Sequence, residues 1–301
     1  MIAPKMSPFV RKTINDLKKK KKIFVMLAPS YVVDFKYPDL LILLRQIGFD
    51  KICEVTFGAR VINRYYHEII KRNPNKMFIS TTCPVVTLMI KSRYPKYAKN
   101  CIPIVSPMVA TARVIKKYYS KYDILFIAPC QAKREEAKIY GNLINNVLTY
   151  KELKELIDYA KEKNIIKNKK VSKFFDKFYS KQTEIYPLSG GLTETMHAMN
   201  ILSKDEVIIM EGPDKLVKLF DTKIPEKIRF LDVLYCYGGC IGGPGVMSKT
   251  TIEERHKTVM DCFAFSKKTE IGAGRELIKD VRGVKFNTPR NYVDDEYYCE
   301  C

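Results

Sequence analysis

Four of the nine cysteines in this 301-residue chain stand where chemistry is expected. Cys83 follows Ser80-Thr81-Thr82, Cys130 follows Ala128-Pro129, and Cys236 and Cys240 bracket Tyr237-Gly238-Gly239. Each lies in a Pro- or Gly-marked turn just after an apolar, strand-like run. The thiolate, not the thiol, is the metal ligand. If a helix begins at Cys236, the i, i+4 spacing stacks both sulfurs on one face, near a dipole end that favours the charged form. Four thiolates suit a 4Fe–4S cube. They suit a structural zinc ion as well. Any one of these cysteines alone reads as a buried, unligated thiol, and spacing by itself leaves cube and zinc both open.

The elements that must position these residues are legible in part. Ile23–Leu27, Lys76–Ser80, Asp123–Ile127 and Glu206–Met210 read as buried strands. The first three run into small or proline-marked turns, at Ala28-Pro29-Ser30, at Thr82-Cys83-Pro84 and at Pro129-Cys130. Thr149 to Lys163 reads as a helix. Thr149 and Glu152 form a capping pair, and Leu153, Leu156, Ile157 and Ala160 fall on one face. Strand and helix alternation predicts an α/β fold of two lobes with mostly parallel sheets flanked by helices. In such sheets, sites gather beyond the carboxyl ends of the strands. Cys83 and Cys130 therefore land where a cofactor site is expected, in the cleft between the lobes. The predicted organisation is a basic extension over 1–22, a first lobe over about 23–122 and a second over about 123–250. A helical segment and tail over 251–301 should pack on both. The lysine-dense stretch from Lys161 to Lys181 reads as a surface connection or exposed helix.

Composition sets outer limits. No apolar run approaches the roughly 20 residues that span a bilayer, and the first residues lack the apolar core of a secretory signal, which predicts a cytoplasmic protein. In a reducing compartment scattered cysteines serve as buried thiols, metal ligands or reactive groups rather than disulfides. The net charge of +20 favours acidic partners through long-range attraction. No zinc finger or RNP-type motif accompanies it, so nucleic acid is the weaker candidate.

The wording of the cysteine loops resembles the catalytic domain of FeFe hydrogenases, in the correct order over roughly residues 23–246. Ser80-Thr81-Thr82-Cys83-Pro84 is similar to the family's Thr-Ser-Cys-Cys-Pro. Ala128-Pro129-Cys130-Gln131-Ala132-Lys133-Arg134-Glu135-Glu136 resembles Met-Pro-Cys-x-x-Lys-x-x-Glu. Asp232 to Gly243, with Cys236 and Cys240, resembles Glu-x-Met-x-Cys-x-x-Gly-Cys-x-x-Gly-Gly. Weaker fragments agree at Ala28-Pro29-Ser30, Phe57-Gly58-Ala59, Ser106-Pro107-Met108, Leu148-Thr149 and Ser189-Gly190-Gly191. The resemblance implies the H-cluster: a 4Fe–4S cube joined through a cysteine thiolate to a diiron subcluster carrying CO, cyanide and dithiolate ligands. By position Cys240 is the bridge, and Cys83, Cys130 and Cys236 are the other cube ligands. Lys133 is implied as donor to one cyanide, although a surface lysine paired with Glu136 is the plainer reading of that residue. Ala28, Pro29, Ser30, Ser106, Pro107, Met108 and Tyr186 would form the diiron pocket. Ser30 and the backbone near Pro107 would hold the second cyanide.

Departures from the pattern concern protons. Thr82 stands in place of the proton-passing thiol, and a hydroxyl relays but does not titrate near neutral pH. After Phe57-Gly58-Ala59 come Arg60, Asn63 and Arg64, and the first acid is Glu68. Ala128 and Leu234 replace two methionines, and Met108 replaces a glutamine. These losses resemble the sensory and minimal members of the family. No cysteine precedes Cys53, so ferredoxin-like modules are not expected, and electrons should come directly from ferredoxin or another acidic carrier. Diiron maturation machinery is the other implied partner. Reversible reduction of protons to dihydrogen is the leading expectation. A slow hydrogen sensor is the second, and an iron–sulfur assembly protein without a diiron unit is the third. Cys53, Cys101 and Cys262 are candidate buried thiols or substitute proton donors.

Overall fold

Strands buried on both faces set the architecture. A computed structural model describes residues 6–272 and 281–289. Its strands are β1 (Ile23–Leu27), β2 (Lys51–Glu54), β3 (Phe78–Ile79), β4 (Asp123–Ala128), β5 (Asn146–Thr149), β6 (Val207–Glu211) and β7 (Phe230–Leu234). They form two sheets, ordered β2-β1-β4-β5 and β3-β7-β6, and every strand pairing within them is parallel. In β1 the alternation of side chains sends Phe24 and Met26 into one hydrophobic core and Ile23, Val25 and Leu27 into another. This is why the run is apolar throughout rather than alternating.

The mixed α/β class and parallel sheets agree with the sequence, but three boundaries differ. β4 and β5 join the sheet of β1 and β2, while β3 joins β6 and β7. A division at 122/123 therefore does not separate the sheets, because parallel neighbours need crossovers and strands adjacent in space need not be consecutive. Nor is the amino-terminal segment merely a basic extension. Pro8–Lys18 is a helix that buries Val10, Thr13 and Ile14 beneath its lysines. It is tied down by Ser7, whose N–H and hydroxyl donate to Glu155 (2.9 Å) and Glu152 (2.7 Å). Finally, the lysine-dense stretch is not wholly superficial: Phe175 is buried and stacks on buried Tyr179.

The helix Tyr150–Glu162 begins in the expected capping box. The Glu152 carboxylate accepts from the Thr149 N–H at 2.8 Å, and the Thr149 hydroxyl accepts from the Glu152 N–H at 3.3 Å. Thr149→Ala should cost about 1 kcal/mol, read as a lower urea midpoint with an unchanged slope. The helix Thr56–Arg72 crosses the helix Pro107–Tyr118 at Gly58, where a Cβ would lie 2.3 Å from Thr111 Oγ1 and 2.4 Å from the Pro107 carbonyl. Only glycine lets them approach so closely. The helix Ile252–Lys268 packs on the turn after β1 and on the Gly239–Gly242 turn. The tail with Cys299 and Cys301 lies outside the described residues.

Candidate metal centre

The four cysteines occupy the carboxyl-end loops of three strands, β3, β4 and β7. Beyond β3, Ser80 accepts the Val233 N–H (3.1 Å), and Thr81 donates to the Ile102 carbonyl (2.8 Å). These bonds fix the loop that delivers Thr82 and Cys83, and Cys83 starts the helix Pro84–Arg93. Beyond β4, Pro129 and Cys130 lead into the helix Ala132–Ile139. Beyond β7 the chain does not enter an α-helix between Cys236 and Cys240. Gly238 (φ +73°) and Gly239 (φ +66°) take left-handed conformations instead, and a short 3-10 turn follows over Gly239–Gly242. The two sulfurs are thus brought round by a glycine reversal rather than stacked along a helix face. A Cβ at Gly239 would also sit 2.7 Å from the Pro187 carbonyl.

A cavity of about 80 Å³ lies at this junction. Ala28, Pro29 and Ser30 wall it from the end of β1, Thr82 from the β3 loop, and Pro107 and Met108 from the crossing helix. Cys130 and Lys133 close it beyond β4, while Tyr186, Leu234 and Cys240 complete the other side. Ser106 is absent from the wall; its hydroxyl is buried without a hydrogen-bond partner. Cys83 and Cys236 do not border the cavity either.

Electrostatics links the four thiols. Burial raises Cys130, Cys236 and Cys240, and the charge of Cys83 raises each further. Cys236 is pushed up to about 12. A set of half-buried thiols that oppose one another's ionisation needs a cationic group among them to be held as thiolates. Among the described residues no three His, Cys, Asp or Glu side chains converge closely enough to share a single ion. A cube, with an iron for each sulfur, tolerates a wider spacing than a zinc ion with all four sulfurs at about 2.3 Å.

Lys133 pairs with Glu136 but is largely buried rather than at the surface. Its ammonium donates to Glu136 Oε2 at 2.6 Å and to the Thr82 carbonyl at 3.1 Å. It also faces the cavity, with one of its three N–H donors to spare. Burial pulls its pKa down, but Glu136 and the charges of Cys83 and Cys240 outweigh this and hold it above the usual lysine value. Its side chain is 14% exposed and that of Glu136 only 1%. The Ser30 hydroxyl is already bonded to Tyr150 Oη at 2.6 Å. Tyr186, raised by burial, keeps a buried hydroxyl with no partner.

Glu68 pairs with Arg72 (3.4 Å) along a separate polar cleft with Arg60, Asn63 and Arg64, and does not reach the cavity. Cys53 and Cys101 are buried and do not border it. Sequence reasoning missed Tyr150, Val55 and Thr56. Thr56, which lines the cavity, carried one signal: it comes two residues after β2, whose end abuts the same edge of the sheet as β1 and β4.

A family model described as "Iron only hydrogenase large subunit, C-terminal domain" matches residues 21–244. Iron hydrogenase 1 of Clostridium pasteurianum is 26% identical over 254 residues, covering 67% of this chain and 44% of that protein. The chain thus spans less than half the length of that relative. A solved variant of [FeFe]-hydrogenase HydA1 from Chlamydomonas reinhardtii aligns with a TM-score of 0.64 and 14% identity, covering 93% of this chain and 98% of that one. HydA(deltaEFG), a structure described as revealing stepwise H-cluster assembly, aligns at 0.62 and 16% over the same shares. At such identities the structures show the shared fold. Among the described residues no helix is long and apolar enough to cross a membrane.

Proposed function

Because this chain belongs to the family of the iron-only hydrogenase large subunit, C-terminal domain, we propose that it holds an H-cluster and reversibly reduces protons to dihydrogen. Cys83, Cys130, Cys236 and Cys240 would carry the 4Fe–4S cube, with Cys240 as the thiolate shared with a diiron subcluster. The observation that carries this reading is the cavity bounded by both Cys130 and Cys240, into which one ammonium keeps a free donor. The donor set fits the group: thiols that need a cation, an ammonium with one N–H left after Glu136 and Thr82, and a phenol hydroxyl with no partner.

When bound, the diiron subcluster would supply the redox chemistry with hydrogen, and the protein would orient it and exclude water. The spare N–H of Lys133 would donate to one cyanide, a charge-assisted bond. Tyr150 Oη lies 3.3 Å from the Ala28 carbonyl and 2.6 Å from Ser30 Oγ, and only with its one proton turned to Ser30 would the Ser30 proton be left for the second cyanide, together with the backbone near Pro107. Tyr186 would wall the pocket. Thr82 would relay a proton without storing one. The basic surface would receive electrons from an acidic ferredoxin, with association weakening as salt rises.

The test is infrared spectroscopy after anaerobic maturation. Bands of iron-bound CO and cyanide are expected; a chain that binds a cube but never shows them would match the assembly-protein reading. The absence of an acid among residues 60 to 67 and the placement of Glu68 outside the cavity favour slow turnover, the kinetic character of a hydrogen sensor. Thr82→Val should therefore lower the rate at least tenfold at saturating carrier, because it removes a hydroxyl from the relay while leaving cube iron unchanged. An undiminished rate would show that protons bypass Thr82.

A further inference from the structure

We propose that the polar cleft beside the helix Thr56–Arg72 is a binding site for a small polyvalent oxyanion, a phosphorylated or polycarboxylic metabolite. Such a site is independent of the hydrogenase reading above and holds whether or not the chain carries a diiron unit. Arg60, Arg64 and His67 stand at i, i+4 and i+7, which sets all three on one face of the helix. They line a cleft of about 500 Å³, a size usual for small-molecule sites. Gln182, His197 and Asn200 line it too, from a segment far along the chain. Two of the chain's three histidines therefore meet here. The walls are fastened to each other. The Asn63 amide donates to Thr195 Oγ1 at 2.9 Å, and Thr195 Oγ1 donates on to the Gly191 carbonyl at 2.6 Å. His67 Nδ1 lies 3.0 Å from the Met196 carbonyl. A carbonyl only accepts, so Nδ1 carries the proton in that bond and Nε2 is left for a ligand. His197 is held at φ +55°, in the left-handed region that residues other than glycine rarely adopt, and strain of this kind collects at ligand sites.

Charge decides what such a cleft takes. Like charges at i, i+4 repel on a helix. Burial, with the charge of Arg64 added, holds Arg60 below the usual arginine value. Arg64 makes no ion pair among the described residues. The one acid among the described lining residues, Glu68, is committed to Arg72 at 3.4 Å. An oxyanion bridging the two guanidinium groups relieves their repulsion, and their planar N–H forks match carboxylate and phosphate oxygens in pairs. His67 Nε2 and the amides of Gln182 and Asn200 offer hydrogen bonds to the rest of a molecule larger than a single phosphate. The cleft also differs from the rest of the basic surface. The chain's positive charge is supplied mainly by lysine, yet no lysine stands among the described residues that line it.

Anaerobic calorimetric titration of the full chain as purified tests this, with glycerol 3-phosphate in one arm and succinate in the other. Ionic strength is held constant, since general attraction to a basic surface falls with salt. One saturable site per chain is expected in at least one arm, and the tighter arm assigns the ligand to the phosphate or the carboxylate class. Arg64→Gln should weaken binding at least tenfold. Lys223→Gln, which removes the same charge from an exposed position elsewhere, should leave it unchanged. Arg64→Lys should recover only part of the affinity, because an ammonium lacks the fork. Asn200→Asp sets a carboxylate on the opposite wall and should also weaken binding at least tenfold. Arg64 and Asn200 are both exposed, so both variants should melt with the parent. In histidine ring NMR the ligand should shift the two resonances lost in His67→Gln and His197→Gln, and leave that of His256, on the helix Ile252–Lys268, in place. No saturable binding in either arm overturns the site. So does equal affinity in the parent and Arg64→Gln, or a shift of all three histidines alike, which would mark general attraction to a basic surface.

Discussion

Cys130→Ser is expected to strip the chain of most of its iron, from about four atoms per chain in a 4Fe–4S site to well below one. The serine hydroxyl does not ionise near neutral pH and is a poor substitute for a thiolate among three others. The loss should reach beyond the metal. Cys130 stands on the loop after β4 of one sheet, whereas Cys83 and Cys236 follow β3 and β7 of the other. A shared cluster would therefore tie the two sheets together. Metal binding in structural zinc sites is worth on the order of 10 kcal/mol, and even a fraction of that would lower the melting temperature by roughly 10 °C in a domain of this size. Cys53→Ala is the control: it should leave iron unchanged and cost only packing, because Cys53 is a buried thiol away from the cavity. Iron and sulfide analysis with calorimetry decides the matter. A normal cube in Cys130→Ser would sink the ligand assignment.

A second large effect is expected at Lys133, where two roles must be pulled apart. Lys133→Ala removes a donor to the diiron unit, but it also abandons Glu136, whose side chain is 1% exposed and whose Oε1 already lacks a partner. Breaking a buried pair in this way costs about 3–5 kcal/mol. The single variant should therefore melt well below the parent, and lost activity would be ambiguous. The double variant Lys133→Met, Glu136→Gln replaces the ion pair by neutral groups of similar size, which is often tolerated. Its stability should approach that of the parent and its cube iron should be normal, while its CO and cyanide bands should be weak or heterogeneous. Parent-like bands and rate in the double variant would mean that the third N–H of Lys133 contacts nothing that matters.

How much of this was legible in the sequence depended on the range of the forces involved. Runs such as Ile23–Leu27 announce a strand because both faces are buried, and the turn residues after them announce its end. The cysteine loops therefore fell at strand ends, where the structure has them. The Thr149–Glu152 capping pair was equally local. Sheet membership was not, since nothing within Lys76–Ser80 says that it will pair with Phe230 and Leu231. The helix Pro8–Lys18 was hidden by charge: a dense lysine run closes it and continues past its end, yet Val10 and Ile14, one turn apart, carry the packing. The condition set for stacking Cys236 and Cys240, a helix beginning at Cys236, is not met, because two adjacent glycines take a left-handed reversal that spacing alone does not reveal. The partners of Thr56 were out of reach, since Ser180 and Thr183 lie far along the chain and meet it only after folding.

The crossing of strands between sheets has a consequence for the order of events during synthesis. β1, β2, β4 and β5 are all made before residue 150 and can pair as they leave the ribosome. β3 emerges among them but has no sheet to join until β7 appears, so the Cys83 loop must wait with its apolar strand unpaired. The nascent chain thus presents Cys130 on a finished sheet and Cys83 on an unfinished one. Only the arrival of Phe230–Leu234 closes the second sheet, and the same stretch brings Cys236 and Cys240 directly behind it. Completion of the second sheet and completion of the four-thiol set are therefore one event.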